Sequence, residues 1–149
     1  MRKVITVFFL CLLLAACAGK EEKEVVKFVK DYDGILQKAY EKGDLNLLAP
    51  LTGEGELRKL FPVFQAMKAA NSVMITRIKK FRVKDVRLAP DGGAAIVETY
   101  EEWEYWWEDR NTKRMTKKKY TEKYPMRYYI VRDKGSWKVD HLELVEGKK

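Results

Sequence analysis

The chain has 149 residues, a length that suits one domain of ordinary size and is too short for two domains with separate hydrophobic cores. Apolar residues make up 46% and charged residues 35%, which indicates a folded globular protein with a densely ionic surface and excludes a disordered chain. One histidine and two cysteines exclude a multi-histidine metal site, a zinc ribbon and a disulfide-stapled small fold. We therefore expect one domain without a metal or another cofactor.

The N-terminal segment has the layout of a secretory signal. Residues 1–3 include two basic side chains, residues 4–14 are an unbroken apolar run, and small residues followed by Cys17 come next. The run is too short for a membrane-spanning helix, which needs about 20 apolar residues. A buried N-terminal core helix is the alternative, and the charged stretch at residues 19–24 disfavours it. We predict that residues 1–16 are a signal peptide that is removed.

The sequence Leu-Ala-Ala-Cys at residues 14–17 resembles the lipobox of bacterial lipoproteins. The resemblance implies that Cys17 carries acyl chains such as palmitate on its sulfur and becomes the acylated N-terminus of the mature protein. Several acyl chains, at about 0.8 kcal/mol for each buried methylene, make such an anchor effectively permanent. Ala18 after the cysteine favours the periplasmic face of the outer membrane over the inner membrane. The expected product is a lipid-anchored protein of the bacterial cell envelope, with residues 17–24 as the lipidated cysteine and a short charged tether.

We place the domain at residues 25–149. Its first part is predicted to be helical. From Val25 onward, apolar residues recur at intervals of three and four, the pattern of an amphipathic helix. Gly43 is the expected left-handed end of this helix, and Asp44 can cap the short apolar segment at residues 45–49. A further helix is predicted after Gly53.

After about Asn71 the apolar period changes to two, which predicts an antiparallel meander of about four strands. The predicted strands are residues 81–88, 94–109, 112–132 and 136–144. The fold class is therefore α+β, with N-terminal helices packed on a curved antiparallel sheet.

The long central hairpin is predicted to have one ionic and one aromatic face. A two-residue turn at Arg110 and Asn111 gives four cross-strand pairs of opposite charge, each worth about 0.2–1 kcal/mol. These pairs are Glu98–Lys123, Glu102–Lys119, Glu104–Lys117 and Glu108–Lys113. The opposite face then contains Val97, Trp103, Tyr105, Trp107, Tyr120, Tyr124, Met126, Tyr128 and Ile130.

Three stretches, residues 25–48, 83–104 and 128–139, resemble the opening helix, first long strands and closing hairpin of the nuclear transport factor 2-like (NTF2-like, SnoaL-like) superfamily. The resemblance implies a cone in which the sheet curls around the helices and leaves an apolar pocket. Some members bind or transform small molecules in this pocket, and some dimerise through the sheet.

Two residues are candidates for acid or base chemistry. Glu101 shares the aromatic face with Trp103 and is predicted to lie opposite Tyr120, where its carboxylate would be desolvated unless a bulge turns it outward. His141 is the single histidine, and its neighbour Asp140 points to the opposite face of a regular strand, so the two cannot form a dyad. In a regular strand the apolar residues before Asp140 and those after it would point to opposite faces. A bulge near Asp140 would be needed to bring them to the same face.

Aspartates on the first helix are assigned to its solvent-exposed side. Asp31 is near the place where some members of the superfamily keep an acid, but its position on the helix flank favours a solvated side chain. Asp33 is placed with the charged residues on the face away from the core.

Aromatic residues of the hairpin are predicted to form a ligand pocket or an interaction surface. They are Trp103, Tyr105, Trp107, Tyr120, Tyr124 and Tyr128. Basic residues beside them have acidic cross-strand partners, so we expect no nucleic-acid partner.

These features together favour a membrane-anchored, non-catalytic binding domain for a protein partner or a small apolar ligand, with a possible homodimer through the sheet. The alternative is a pocket enzyme of the isomerase, cyclase or dehydratase type that uses Glu101 or His141 as its acid or base.

Overall fold

The structure, a computed structural model, describes residues 2–145, and their side chains from residue 19 onward. Its elements are α1 (Arg2–Lys42), a 3₁₀ helix (Leu45–Leu51), α2 (Glu54–Ala69), β1 (Ser72–Leu88), β2 (Ala94–Asp109), β3 (Met115–Asp133) and β4 (Ser136–Leu144). The strands form one antiparallel sheet in the order β1-β2-β3-β4, and the helices pack against it. The predicted α+β fold with N-terminal helices on a curved four-stranded sheet is confirmed.

Helix α1 is continuous from Arg2 to Lys42, so the residues that precede Val25 continue the same helix. Two of them contact the sheet: the Glu21 carboxylate lies 3.0 Å from the Arg132 guanidinium, and Glu24 accepts a hydrogen bond from the Trp137 indole. The side chains of the predicted signal peptide and of Cys17 lie outside the described residues. Within the described part of the chain, no helix combines the length and the hydropathy that crossing a membrane requires.

The apolar stripe of α1 packs on the inner face of the sheet. Val25, Val29, Tyr32 and Ala39 are fully buried, as their spacing of four, three and seven residues along one helix face predicts. They meet the buried inner-face residues Ala95, Val97, Tyr128, Ile130, Trp137 and Val139. Burial of each large apolar side chain contributes about 1.5–3 kcal/mol to the stability of the domain.

The end of α1 is set by Gly43, which has the predicted left-handed conformation with φ +64°. Its N–H donates to the carbonyl of Tyr40, and the N–H of Asp44 donates to the carbonyl of Ala39. The Asp44 carboxylate then accepts the N–H of Asn46, which caps the 3₁₀ helix as predicted.

We expect Gly43→Ala to lower the free energy of unfolding by about 1 kcal/mol, because an L-residue is strained at positive φ. Its Cβ would also meet the flexible Arg110 guanidinium. Gly34→Ala is the control: it lies inside α1, has nothing within 4 Å of the added carbon, and should raise stability by about 0.5–1 kcal/mol. Urea denaturation measures both, and a change of the same sign in the two variants would contradict the assignment of Gly43 as the helix end.

The predicted bounds of β2 and β4 match the structure, whereas those of β1 and β3 differ. Strand β1 begins at Ser72, well before the predicted start at residue 81, and its first residues are buried on a second apolar cluster rather than alternating. Two register shifts interrupt β1, between Ile78 and Lys80 and between Val83 and Asp85. These irregularities hide the strand period in the sequence.

The predicted register of the β2–β3 hairpin was wrong by four residues over most of its length, from Ala94 to Tyr105. Glu98 pairs with Arg127 rather than Lys123, and Glu102 pairs with Lys123 rather than Lys119. The turn extends from residue 110 to 114 instead of two residues, because the Asp109 carboxylate accepts the N–H groups of Asn111 and Thr112. Since four is an even number, the side chains from Ala94 to Tyr105 and their partners keep their predicted face, whereas two register shifts interrupt the pairing between Tyr105 and Glu108.

The other two predicted charge pairs are also replaced. Glu104 lies opposite Thr121 and reaches Lys119 diagonally at 3.5 Å, and Glu108 lies opposite Met115. The outer face is nevertheless ionic, as predicted. An ion-pair chain crosses all four strands there, from Arg87 to Glu98, Arg127 and Glu143, with N–O distances of 2.8 Å at each step.

Candidate functional site

A cavity of about 230 Å³ lies between the second half of α1 and the inner face of β2, β3 and β4. Its lining residues are Asp33, Leu36, Tyr40, Glu101, Trp103, Tyr105, Tyr124, Met126, Tyr128, Leu142 and Leu144. The lining is mostly apolar and aromatic, and two carboxyl groups are set into it. Such a combination of an apolar wall and a few convergent polar groups is typical of small-ligand sites.

Glu101 is the first of these carboxyl groups, and only 1% of its surface is exposed. It accepts hydrogen bonds from Thr99 Oγ1 at 2.6 Å and from Trp103 Nε1 at 2.7 Å. Alternate residues of a strand share a face, which is why these two neighbours in β2 both point at it. The expectation that Glu101 is desolvated on the aromatic face is confirmed, although its cross-strand partner is Tyr124 and not Tyr120.

Asp33 is the second carboxyl group, and its assignment to the solvent-exposed face of α1 was wrong. It is 1% exposed, and its Oδ1 lies 3.0 Å from the hydroxyl oxygen of Tyr128. It comes four residues after Val29 and three before Leu36, at the edge of the apolar stripe, which is the sequence signal that could have placed it. Asp31 is exposed and pairs with Lys27, as expected.

The hydroxyl of Tyr128 connects the two carboxyl groups. It lies 2.7 Å from Glu101 Oε1 and 3.0 Å from Asp33 Oδ1, yet it has a single proton and can donate to only one of them. The other contact is a hydrogen bond only when the carboxyl group carries a proton of its own. The two contacts are hydrogen bonds at the same time only when one of the two carboxyl groups is protonated.

Electrostatics place that proton on Asp33. Burial, together with the charge of Glu101, raises the pKa of Asp33 well above its usual range, and the hydrogen bond to Tyr128 opposes this shift. Burial also raises the pKa of Tyr128, which keeps its hydroxyl protonated. When Asp33 is protonated it can donate to Tyr128 while Tyr128 donates to Glu101, whereas an ionised Asp33 competes with Glu101 for the Tyr128 proton.

The remaining oxygen of the cluster has no partner. Asp33 Oδ2 is buried and forms no hydrogen bond with any described residue. A buried acceptor without a donor costs about 1–3 kcal/mol, so this oxygen lowers the stability of the fold.

Most of the predicted aromatic residues do gather at the cavity. The ring of Tyr105 stacks on Trp103 at 6.2 Å and on Tyr120 at 5.2 Å, and meets Tyr124 edge-on. Tyr120 is 43% exposed and does not line the cavity. Trp107 is not a cavity residue either, because it packs on the second apolar cluster of Met67, Val73, Met74 and Ile75.

His141 lies on the outer face of the sheet, away from the cavity. The predicted bulge at Asp140 is present: Tyr129 pairs with His141 and Ile130 with Val139. The bulge turns the imidazole outward, where it contacts the Tyr129 ring and lies 2.6 Å from Lys59 Nζ. His141 therefore lies apart from Glu101. In the alternative enzyme hypothesis, Glu101 remains the candidate acid or base and His141 does not.

Comparison with known proteins finds similarity to solved structures but no match in sequence comparisons. No protein-family model and no curated protein matches the chain. The intermembrane space region of the chloroplast protein ARC6 is similar with a TM-score of 0.71 and 17% identity, over 83% of this chain and 95% of that one. A candidate dehydratase of the NTF2-like family from Streptomyces avermitilis is similar with a TM-score of 0.52 and 17% identity, over 85% of this chain and 99% of that one. The chain therefore has an NTF2-like α+β fold.

Proposed function

We propose that the protein is a lipid-anchored component of the bacterial cell envelope whose NTF2-like domain binds a small apolar ligand in the cavity around Asp33 and Glu101. The observation that carries the proposal is the cavity itself, an apolar and aromatic space with a buried acid cluster in its wall. A site for a protein partner would not require this arrangement.

The acid cluster is costly to the fold, which supports a role in binding. Two buried carboxyl groups, one with an unpartnered oxygen, are less stable than apolar residues of the same size would be. The apolar and aromatic walls supply the affinity for a ligand, at about 25 cal/mol for each Å² buried.

The ligand can be sought by native mass spectrometry. The full chain, purified from its membrane in a polymer-bounded lipid disc, should show an added discrete mass that is lost on denaturation. Leu36→Trp, which fills the cavity, should abolish the added mass. Lys38→Trp places the same side chain on the exposed side of α1 and should retain it. An unliganded wild-type protein, or equal occupancy of the two variants, would contradict the proposal.

The lipid anchor is a separate part of the proposal and rests on the lipobox-like residues 14–17. We expect Cys17→Ala to abolish acyl labelling completely and to move the protein out of the lipidated membrane fraction. Cys11→Ala is the matched control, because Cys11 belongs to the segment that is removed. Labelling with radioactive or clickable palmitate measures both, and label that persists in Cys17→Ala rejects the anchor.

An acid–base enzyme of the isomerase, cyclase or dehydratase type is the second candidate. It is favoured by one observation, the presence of two buried carboxyl groups in one cavity, linked through Tyr128. The recovered ligand separates the two candidates. A binding protein returns the ligand unchanged, whereas an enzyme converts it at a rate that Glu101→Gln lowers by about 10²-fold or more.

A further inference from the structure

The first half of β3 forms an interaction surface that lies outside the cavity and does not depend on the proposed function. We propose that the free edge of β3, residues 115–123, binds an extended acidic segment of a partner protein, which adds to the sheet as a further strand.

The first argument is an unpaired strand edge. Strand β4 pairs with β3 from Met126 to Asp133, and one more hydrogen bond joins Val145 to Pro125. Among the residues that the structure describes, none pairs with residues 115–123 on the side away from β2. Every residue of this stretch is exposed, so none of the described elements covers the edge. An unpaired edge of this kind is a template for another strand.

The backbone of this edge is oriented for strand addition. The Pro125 carbonyl accepts the N–H of Val145, so it points away from β2. Backbone groups alternate between the two sides of an antiparallel strand, and the pairing of β3 with β2 is regular from Tyr120 onward. The N–H and C=O groups of Thr121 and Lys123 therefore also point to the free side, where a partner strand can form hydrogen bonds with them.

The second argument is charge. Residues 113–119 contain five basic side chains and no acidic one. Lys119 is the one basic residue of this stretch that forms an ion pair with a described residue, with an N–O distance of 3.5 Å to Glu104. Lys117 lies over the Trp107 ring instead, 5.4 Å from its centroid. An acidic strand would provide the cross-strand pairs of opposite charge that this stretch lacks.

The third argument is the presence of exposed apolar side chains on the same edge. Met115 is 50% exposed and Tyr120 is 43% exposed. One face of the Tyr120 ring stacks on Tyr105, which holds the ring in place at the edge. A partner strand that contains both acidic and apolar residues would therefore match this edge better than a purely charged chain.

The positive charge also separates the possible partners. Lysines on an edge strand are a common protection against self-association, because two such edges side by side bring like charges together. The same lysines leave the edge open to a strand of opposite charge. A lipid surface or a nucleic acid would neutralise the charge but would not pair the backbone groups of the edge in the geometry of a strand. An acidic peptide segment does both.

Binding of synthetic peptides to the full chain in lipid discs tests the proposal. The probe is a fluorescent peptide of about ten residues in which glutamate and valine alternate. The control peptide has the same sequence with N-methyl groups on its consecutive central residues, so it has the same charge but cannot add as a strand. We expect the probe to bind at least about tenfold more tightly, a difference of about 1.4 kcal/mol. It should also slow amide hydrogen exchange at Thr121 and Lys123.

A proline variant tests the role of the backbone. Thr121→Pro removes an N–H group from the free edge but removes no hydrogen bond to β2, so it should keep the fold and bind the probe at least about tenfold more weakly. Thr121→Ala keeps the N–H group and should bind as the wild-type protein does. Urea denaturation checks that both variants are folded.

Charge reversal tests the basic side chains without a change to the backbone. The double variant Lys117→Glu with Lys118→Glu should lose the probe and bind the corresponding peptide of alternating lysine and valine. Lys23→Glu with Lys38→Glu makes the same change in net charge on exposed positions of α1 and should bind the probe as the wild-type protein does.

Four outcomes would overturn the inference. They are failure of the probe to bind, equal binding of the N-methylated peptide, binding without slower exchange at Thr121 and Lys123, and tighter binding of phosphatidylglycerol vesicles or single-stranded DNA than of the probe. A dimer of the full chain that Thr121→Pro dissociates would assign the edge to a second copy and would overturn it as well. None of these results bears on the ligand of the cavity, whose test is separate.

Discussion

Replacing Tyr128 with phenylalanine is expected to lower the free energy of unfolding by about 3 kcal/mol. The ring stays in the core, but the hydroxyl that links Asp33 and Glu101 is lost. Glu101 then has one donor fewer and the Asp33 proton has no acceptor, in a place that is buried from water. An unsatisfied buried polar group costs about 1–3 kcal/mol, and more when it is charged.

The neighbouring residue provides the control. The hydroxyl of Tyr129 donates to Glu143 at 2.9 Å on the half-buried outer face, where water can replace it. Tyr129→Phe should therefore cost less than about 1 kcal/mol. Urea denaturation of the two variants at neutral pH measures the difference. Equal losses would mean that the chain of hydrogen bonds through Tyr128 does not stabilise the fold.

Asp33→Asn is expected to change how stability depends on pH. The pKa of Asp33 is raised in the folded protein from its ordinary value of 3.8. The folded state therefore holds the proton over a pH range in which the unfolded state has released it. The corresponding stability is complete below about pH 3.8 and is lost as the pH rises through the raised value, with a slope of up to about 1.4 kcal/mol for each pH unit.

The asparagine variant has no proton to lose at this position, so it should be more stable than the wild-type protein at about pH 8 and differ less from it at about pH 4. Carboxyl groups with lowered pKa values, such as Glu143 and Asp133, act in the opposite direction. They are the same in both proteins and cancel in the comparison. Urea denaturation over this pH range gives the two curves, and curves that run parallel would show that Asp33 is ionised throughout.

The sequence is most informative where local chemistry decides the structure. Gly43 ends α1 because a left-handed residue is needed there, and the starts of β2 and β4 follow from turns that contain glycine. Even the bulge at Asp140 could be inferred, because the apolar residues before and after it would point to opposite faces of a regular strand. In each of these cases a few neighbouring residues contain the whole signal.

The hairpin register and the acid cluster depend on more distant residues. Charge pairing selected the wrong register because several registers bring glutamates near lysines, and the hydrogen bonds of Asp109 that lengthen the turn are not visible in a pattern. Asp33 looks like a surface residue in its own helix, and only the arrival of Tyr128, 95 residues later, gives it a buried partner. Glu101 was found because it interrupts an aromatic face within one strand.

The length of α1 has a consequence for access to the cavity. The helix is continuous from the proposed lipid-attachment site at Cys17 to Asp33, and its rise of about 1.5 Å for each residue separates the two by about 24 Å. Glu21 and Glu24 hold this segment of α1 against the sheet through their contacts with Arg132 and Trp137. On an anchored protein with the helix upright, the binding site would thus stand clear of the headgroup layer. A ligand would reach it from the aqueous compartment rather than by lateral diffusion within the bilayer.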